Sequence, residues 1–197
     1  MVARFNALTK AIGTQFDSNK NFEGIMTQES SLSMLPAALQ KVGYSAQAYQ
    51  AALINTLTTA AANLPTSRVF WLMNFLTGCQ TCIANVANAI APKGVIMGGP
   101  DVWPDNKSLQ NVVYPYYNQF NGKMPLTGQV ENVNYSEPHM TKGYNTKDWT
   151  MLELFDYAVT HLHVNYMFWV RVTRPANSAA YDWTDALPVI KAHPTFN

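Results

Sequence analysis

The sequence has few charged residues. Asp, Glu, Lys and Arg make up 13% of its 197 residues, which is about half the share of an ordinary globular protein. Thirteen basic residues oppose twelve acidic ones, so the net charge is +1. Nucleic-acid phosphates need a clustered basic surface, so this balance argues against nucleic acid as the main partner. The same balance argues against a polybasic membrane anchor.

The sequence also lacks long apolar runs. No stretch of about 18 consecutive apolar residues is present, so no membrane span is expected. The first 16 residues (MVARFNALTKAIGTQF) lack the apolar centre of a signal peptide, so no secretion signal is expected in this chain. These patterns leave the cellular compartment open.

Cysteine is scarce, and the two cysteines, Cys79 and Cys82, are spaced as CxxC. A redox dithiol, a local disulfide and two ordinary thiols all fit this spacing. A zinc site would need two further ligands that are not nearby. The flanking Gly78 and Gln80 are not the Trp and Pro of a thioredoxin-like motif. A CxxC redox protein on an α/β fold stays as an alternative function.

Phosphate-binding signatures are missing as well. Neither GxGxxG nor GxxxxGK[ST] occurs, so no nucleotide cofactor is expected. Gly98-Gly99-Pro100 indicates a tight turn, since one short glycine pair is not a phosphate loop. His161 and His163 share a spacing that metal sites use, but a favourable charge at a helix end explains His161 better. No metal site is expected.

Hydrophobic residues are abundant at 48% and aromatic residues reach 12%, so the chain can bury a sizeable core. Helical and strand patterns alternate along it. The predicted strands are 22–27, 68–75, 93–97, 124–130 and 163–172. The predicted helices are 2–16, 45–63, 79–91, 108–120 (kinked at Pro115), 149–162 and 182–192 (with Pro188 inside). Regular alternation with short connections predicts one α/β domain over residues 1–197, with a parallel sheet and crossover helices.

Two architectures fit this alternation. A doubly wound sheet would be complete at this length, but it usually carries the phosphate signature that is missing here. A (β/α)8 barrel needs eight strands and about 250 residues. Five predicted strands would therefore be part of such a barrel.

Polar and aromatic residues lie in the last part of the predicted strands or just after them, at the sheet edge where parallel α/β folds place their chemistry. Carboxylates and amides there can bind sugar hydroxyls, and indole rings can stack on a pyranose. In chain order these residues are Gln28, Glu29, Asn74, Asp101, Trp103, Glu131, Asn132 and Trp169.

This arrangement resembles the C-terminal part, strands four to eight, of clan-A-type (β/α)8-barrel glycoside hydrolases. In that family the acid/base Glu ends strand four, usually after an Asn. The nucleophile Glu ends strand seven, and an aromatic residue, commonly Trp, ends strand eight. If the first strand here is barrel strand four, Glu29 takes the acid/base position, Glu131 the nucleophile position and Trp169 the sugar floor.

The resemblance covers almost the whole chain, with two departures. Gln28 stands where the family has Asn, and strands one to three are absent. The resemblance implies a retaining glycosidase without cofactor, in which Gln28, Asn74, Asp101, Trp103, Asn132 and Trp169 bind the substrate. An alternative is a protein that binds saccharide, or has a structural role, without cleavage.

The partners implied are an oligosaccharide or polysaccharide and a polypeptide that covers the open sheet edges. That polypeptide would be the missing N-terminal half-barrel or a second copy of the chain.

Overall fold

The computed structural model describes residues 1–32, 36–135, 149–173 and 181–195. Its strands are β1 (Gly24–Met26), β2 (Arg68–Leu72), β3 (Ile96–Gly99), β4 (Leu126–Val130) and β5 (Tyr166–Trp169). Its helices are α1 (Val2–Phe16), α2 (Pro36–Lys41), α3 (Ala46–Asn63), α4 (Cys82–Ile90), α5 (Lys107–Val112), α6 (Tyr114–Phe120), α7 (Asn132–Tyr135), α8 (Met151–Thr160) and α9 (Trp183–Ala192).

The five strands form one all-parallel sheet in the order β1-β2-β3-β4-β5. Gly24 is opposite Arg68 in the β1–β2 ladder, and Thr127 is opposite Tyr166 in the β4–β5 ladder. The predicted α/β fold with a parallel sheet is confirmed. A doubly wound sheet reverses its strand order at a switch point, and the described strands follow sequence order without a reversal.

The chain forms two compact units. The first contains residues 1–97 and 122–125, and the second contains residues 98–121 and 126–197.

In the first unit, strand β2 is buried on both faces. Four consecutive residues of β2, Val69 to Leu72, are buried, as expected for a strand covered on both sides. Ser45 caps α3 by accepting a hydrogen bond from Ala48 N (3.3 Å). Asn63 at the end of α3 donates to the buried Thr9 of α1 (3.0 Å), which joins these two helices.

In the second unit, the predicted helix over 108–120 is two helices, α5 and α6, separated at Val113. Pro115 stands in the first turn of α6, where its missing N–H costs no helical hydrogen bond. Asn106 caps α5 through Leu109 N (3.1 Å). Helix α9 keeps Pro188 inside it, as predicted.

Two short helices, α2 and α7, lie outside the predicted helices. The fifth strand is shorter than predicted and begins at Tyr166. His163 has a φ of 53°, and such a left-handed residue interrupts an extended strand. No described helix has the length and apolarity that a membrane crossing requires.

Candidate functional site

A first polar cluster of Gln28, Glu29, Ser30 and Asn74 follows strands β1 and β2 in the first unit. Thr27 N donates to Phe70 O (2.9 Å) and Ser30 N donates to Leu72 O (3.1 Å). These bonds continue the β1–β2 ladder beyond Met26, so the backbone around Glu29 is fixed by β2.

Asn74 is the centre of this first cluster, and only 7% of it is exposed. Its backbone N–H donates to Ser30 Oγ (2.7 Å), and the Ser30 hydroxyl donates to Asn74 O (3.0 Å). Its Oδ1 accepts from Phe75 N (2.8 Å), which fixes the orientation of the amide. Its Nδ2 therefore faces Glu29 and donates to Oε2 of that carboxylate (2.7 Å).

Glu29 and Gln28 are both exposed. The family pattern puts the amide partner directly before the acid/base Glu, where this chain has Gln28. In the structure, an amide contact to Glu29 comes from Asn74, in the connection that follows β2. The carboxylate of Glu29 is therefore held by a hydrogen bond while it stays accessible to solvent.

The connection from β2 to α4 carries both Asn74 and the CxxC motif. Cys79 and Cys82 form a disulfide, which answers the question that their spacing left open. Cys82 is the first residue of α4 and is 2% exposed, whereas Cys79 is half-buried. The Tyr44 hydroxyl donates to Thr77 O (2.7 Å) and fixes the middle of the connection.

A second polar cluster of Asp101, Gln129, Glu131 and Asn134 follows strands β3 and β4 in the second unit. Gln129 Nε2 donates to Glu131 Oε1. Asn134 Oδ1 accepts from Glu131 N (2.7 Å), and Asn134 Nδ2 donates to Asp101 Oδ1 (3.2 Å). Asn134 thus connects the two carboxylate residues through one side chain.

Sequence reasoning missed Asn134, which is 2% exposed. A signal was present, because an Asn three residues after Glu131 can reach back to a backbone N–H at the start of a turn or a short helix. Gln129 was also missed, since strand alternation alone does not show which amide reaches the following Glu.

Two buried tyrosines of α6 fix the loop that carries Asp101. The Tyr117 hydroxyl accepts from Gly99 N and donates to Thr127 O (2.9 Å). The Tyr114 hydroxyl accepts from Trp103 N (2.8 Å). Burial raises the pKa of both tyrosines well above the ordinary value, because a phenolate is poorly solvated there.

Gly98 lets β3 and β4 approach closely. A Cβ at this position would overlap with Thr127 O, so the Gly98-Gly99-Pro100 sequence has a packing role at the end of β3. This explains why the glycine pair occurs without a phosphate motif.

The remaining predicted site residues differ in exposure. Trp103 is buried, with 9% of its surface exposed, so it offers little surface for stacking on a sugar. Trp169 is the last residue of β5 and is half-buried. Asn132 begins α7, and its side chain lies outside the described part of the structure.

The two histidines of the HxH spacing each contact a protein side chain. His161 stacks on Tyr157, with ring centroids 4.8 Å apart and planes at 12°, and its Nδ1 lies 2.8 Å from Thr160 Oγ1. His163 Nε2 lies 3.0 Å from Asn118 Oδ1. The described residues contain no group of three or more His, Cys, Asp or Glu side chains that could hold a metal ion.

No known protein family, curated protein or solved structure matches this chain. The resemblance to glycoside hydrolases therefore stays a prediction based on the residues that suggested it.

Proposed function

We propose that this chain is a carbohydrate-active protein that cleaves glycosidic bonds with retention of configuration, and that its fold is part of a (β/α)8 barrel. Strands in sequence order without a reversal are the order that such a barrel has. The three further strands would come from another polypeptide segment or a second copy.

One observation carries the proposed function. Each candidate glutamate follows the carboxyl end of a strand and accepts a hydrogen bond from an amide side chain. Asn74 Nδ2 donates to Glu29, and Gln129 Nε2 donates to Glu131. Oriented carboxylates with neighbouring amides are what glycoside cleavage requires, because the carboxylates do the chemistry and polar groups bind the sugar hydroxyls.

In the proposed first step, Glu131 attacks the anomeric carbon while Glu29 gives its proton to the leaving oxygen. The glycosidic bond breaks, and an ester bond forms between the sugar and Glu131. In the second step, Glu29 takes a proton from water, and the water oxygen attacks the anomeric carbon. The ester breaks, the sugar leaves with its original configuration, and both carboxyls return to their starting state.

The other residues would bind the sugar without changing covalently. Gln28 and Asp101 carry hydroxyl-binding groups, and Asn132 adds an amide. Trp169 would stack on the apolar face of a pyranose ring. Trp103 would contribute little in this role because it is buried.

The test measures hydrolysis of a panel of aryl glycosides and natural oligosaccharides by the wild-type chain and by Glu29→Gln and Glu131→Gln. Loss of an acid/base group is expected to lower the rate by about 10²–10⁴-fold on substrates with a poor leaving group. With dinitrophenyl glycosides, Glu29→Gln should lose much less in the first step, because that leaving group needs no proton. A 2-fluoro-glycosyl substrate should label Glu131, as peptide mass spectrometry would show.

Glu23→Gln and Asp156→Asn are the matched controls. Glu23 is also exposed but precedes β1 instead of following it, and Asp156 is exposed on α8. Both variants should keep wild-type rates. Equal losses in Glu23→Gln and Glu29→Gln, or labelling of a residue other than Glu131, would reject the assigned roles.

Saccharide binding without cleavage is the second candidate, and the exposure of Glu29 favours it. A catalytic acid in this reaction class is usually kept protonated by apolar surroundings, and Glu29 is exposed. Glycan-array binding without release of product from any substrate would support this candidate and reject the hydrolase. Binding should then weaken in Glu131→Gln but not in Asp156→Asn.

A further inference from the structure

The Cys79–Cys82 disulfide lies in the same connection as Asn74, the residue that orients Glu29. We propose that reversible reduction of this disulfide by a dithiol regulates the Asn74–Glu29 pair. Its effect on the pair is a property of the first unit alone. Its effect on catalysis rests on the proposed function.

The two sulfurs differ in access, and this difference sets the direction of exchange. Cys79 is half-buried, whereas Cys82 is 2% exposed. An incoming thiolate therefore meets Cys79 Sγ first. Cys82 is the first residue of the nine-residue α4, and the partial positive charge of a helix start favours a leaving thiolate there.

The reaction balances as two exchanges. One thiolate of the dithiol attacks Cys79 Sγ, the Cys79–Cys82 bond breaks, and Cys82 leaves as a thiolate that takes up a proton. The second thiolate of the dithiol then attacks the dithiol sulfur that is bonded to Cys79 in the mixed disulfide. Cys79 leaves as a thiolate and is protonated, so the protein gains two electrons and the dithiol closes to a cyclic disulfide.

A short chain of hydrogen bonds connects the disulfide to Asn74. Cys79 N donates to Leu76 O (3.1 Å), and Leu76 N donates to Gln80 Oε1 (3.4 Å). Leu76 is two residues after Asn74, and Phe75 between them donates to Asn74 Oδ1. The bonded loop thus holds the backbone that fixes the Asn74 amide.

Reduction would return conformational freedom to the loop, because the bond no longer limits residues 79–82. The long contacts, such as that from Leu76 N to Gln80, should be lost first. Asn74 would then be held only by the hydrogen bonds between the Ser30 hydroxyl and the Asn74 backbone. Its hydrogen bond to Glu29 would be populated for less of the time.

The test compares the full chain with and without dithiothreitol. After reduction, a thiol-alkylating reagent should modify Cys79 about tenfold faster than Cys82, as mass spectrometry measures. Amide hydrogen exchange at Phe75, Leu76 and Cys79 should become about tenfold faster. Exchange at Asp17, which closes α1, should stay within a factor of two.

Cys79→Ser/Cys82→Ser is the control that separates the bond from the reagent. This double variant should show the fast exchange of the reduced protein without dithiothreitol, and the reagent should change nothing further. The proposal is overturned if native protein resists dithiothreitol, if Cys82 is modified first, or if exchange at Phe75 and Leu76 is equal in both redox states.

Activity is the last readout. If the chain cleaves glycosides, reduction should lower kcat about tenfold with little change in KM, because a displaced amide changes the geometry of Glu29 more than substrate binding. If no glycoside is cleaved, the proposed function fails while the exchange and alkylation results still decide the switch. If amide exchange becomes faster on reduction while kcat is unchanged, only the proposed effect on catalysis is rejected.

Discussion

The Asn74 side-chain amide donates a hydrogen bond to Glu29 Oε2 over 2.7 Å, although 45 positions separate the two residues. Asn74 is buried and held by Ser30 and Phe75, whereas Glu29 is exposed. A rigid donor therefore orients an accessible carboxylate, which is the arrangement that a reactive carboxylate requires.

Asn74→Ala should impair the function of Glu29. The variant removes the donor to Glu29 and the acceptor of Phe75 N, so turnover of glycosides should fall by about 10²-fold. Stability should fall by about 1–3 kcal/mol, because the partly buried Phe75 N–H loses its partner. Kinetics well below the melting temperature and chemical denaturation would measure the two effects.

Ser30→Ala is the matched control for this prediction. It removes two hydrogen bonds to the Asn74 backbone and does not remove the donor to Glu29. Stability should fall by a similar amount while turnover falls much less. Equal losses of turnover in the two variants would show that Asn74 acts only through the stability of the loop.

Thr27→Val should leave the protein as stable as the wild type, or more stable by about 1 kcal/mol. Thr27 Oγ1 is buried and has no hydrogen-bond partner within the described structure, so the methyl group removes an unsatisfied polar atom. Urea denaturation of both proteins would measure the difference in the free energy of unfolding.

Thr127→Val tests the same substitution where the hydroxyl is used. Thr127 Oγ1 donates to Tyr166 O (3.1 Å), so this variant should be less stable than the wild type by about 1–2 kcal/mol. A loss in Thr27→Val as large as that in Thr127→Val would show that the Thr27 hydroxyl has a partner in solution.

Tyr117 should make stability fall at alkaline pH. Burial holds its folded-state pKa well above the ordinary value of 10.0. The unfolded chain therefore releases this proton above about pH 10 while the folded chain keeps it, so unfolding becomes more favourable as the pH rises. The stabilisation is complete below pH 10 and is lost progressively above it.

Tyr117→Phe should weaken this pH dependence. Between pH 10 and 11, the free energy of unfolding should fall with pH less steeply than in the wild type. The two slopes should differ by up to about 1.4 kcal/mol per pH unit. The variant should also be less stable at pH 7 by about 1–3 kcal/mol, because Gly99 N loses its acceptor. Identical slopes in the two proteins would contradict the burial of the phenol.

The sheet edge at β1 should be paired in solution. Open edge strands promote association, so light scattering should give a mass above the 22.0 kDa of one chain. Association through β1 should also protect the backbone amides of Gly24 and Met26 against hydrogen exchange. A soluble 22 kDa monomer with rapid exchange at both amides would argue against the partial-barrel proposal.

Much of the fold could be predicted from local patterns. The apolar run around Trp71 and the polar break before Arg68 marked β2, and Ser45 marked the start of α3. Strand boundaries also depend on single residues that change the backbone direction. His163 shortens β5 through its positive φ, and periodicity does not show this.

The candidate site could be predicted only in part. Glu29 and Glu131 were chosen as candidates because each follows a predicted strand of a parallel sheet. Their partners could not be found in the same way, because strand spacing does not say which distant amide reaches a carboxylate. Asn134 was missed for this reason, and Gln28 was expected in the place that Asn74 takes.

The sequence by itself determined the α/β class, the parallel sheet and the residues that follow each strand, because hydrophobic periodicity and turn residues act over a few positions. Only the tertiary structure decided the strand order, the bond between Cys79 and Cys82, and the amide that orients each glutamate. These depend on contacts between residues far apart in the chain, whose geometry is set by packing and not by local preference.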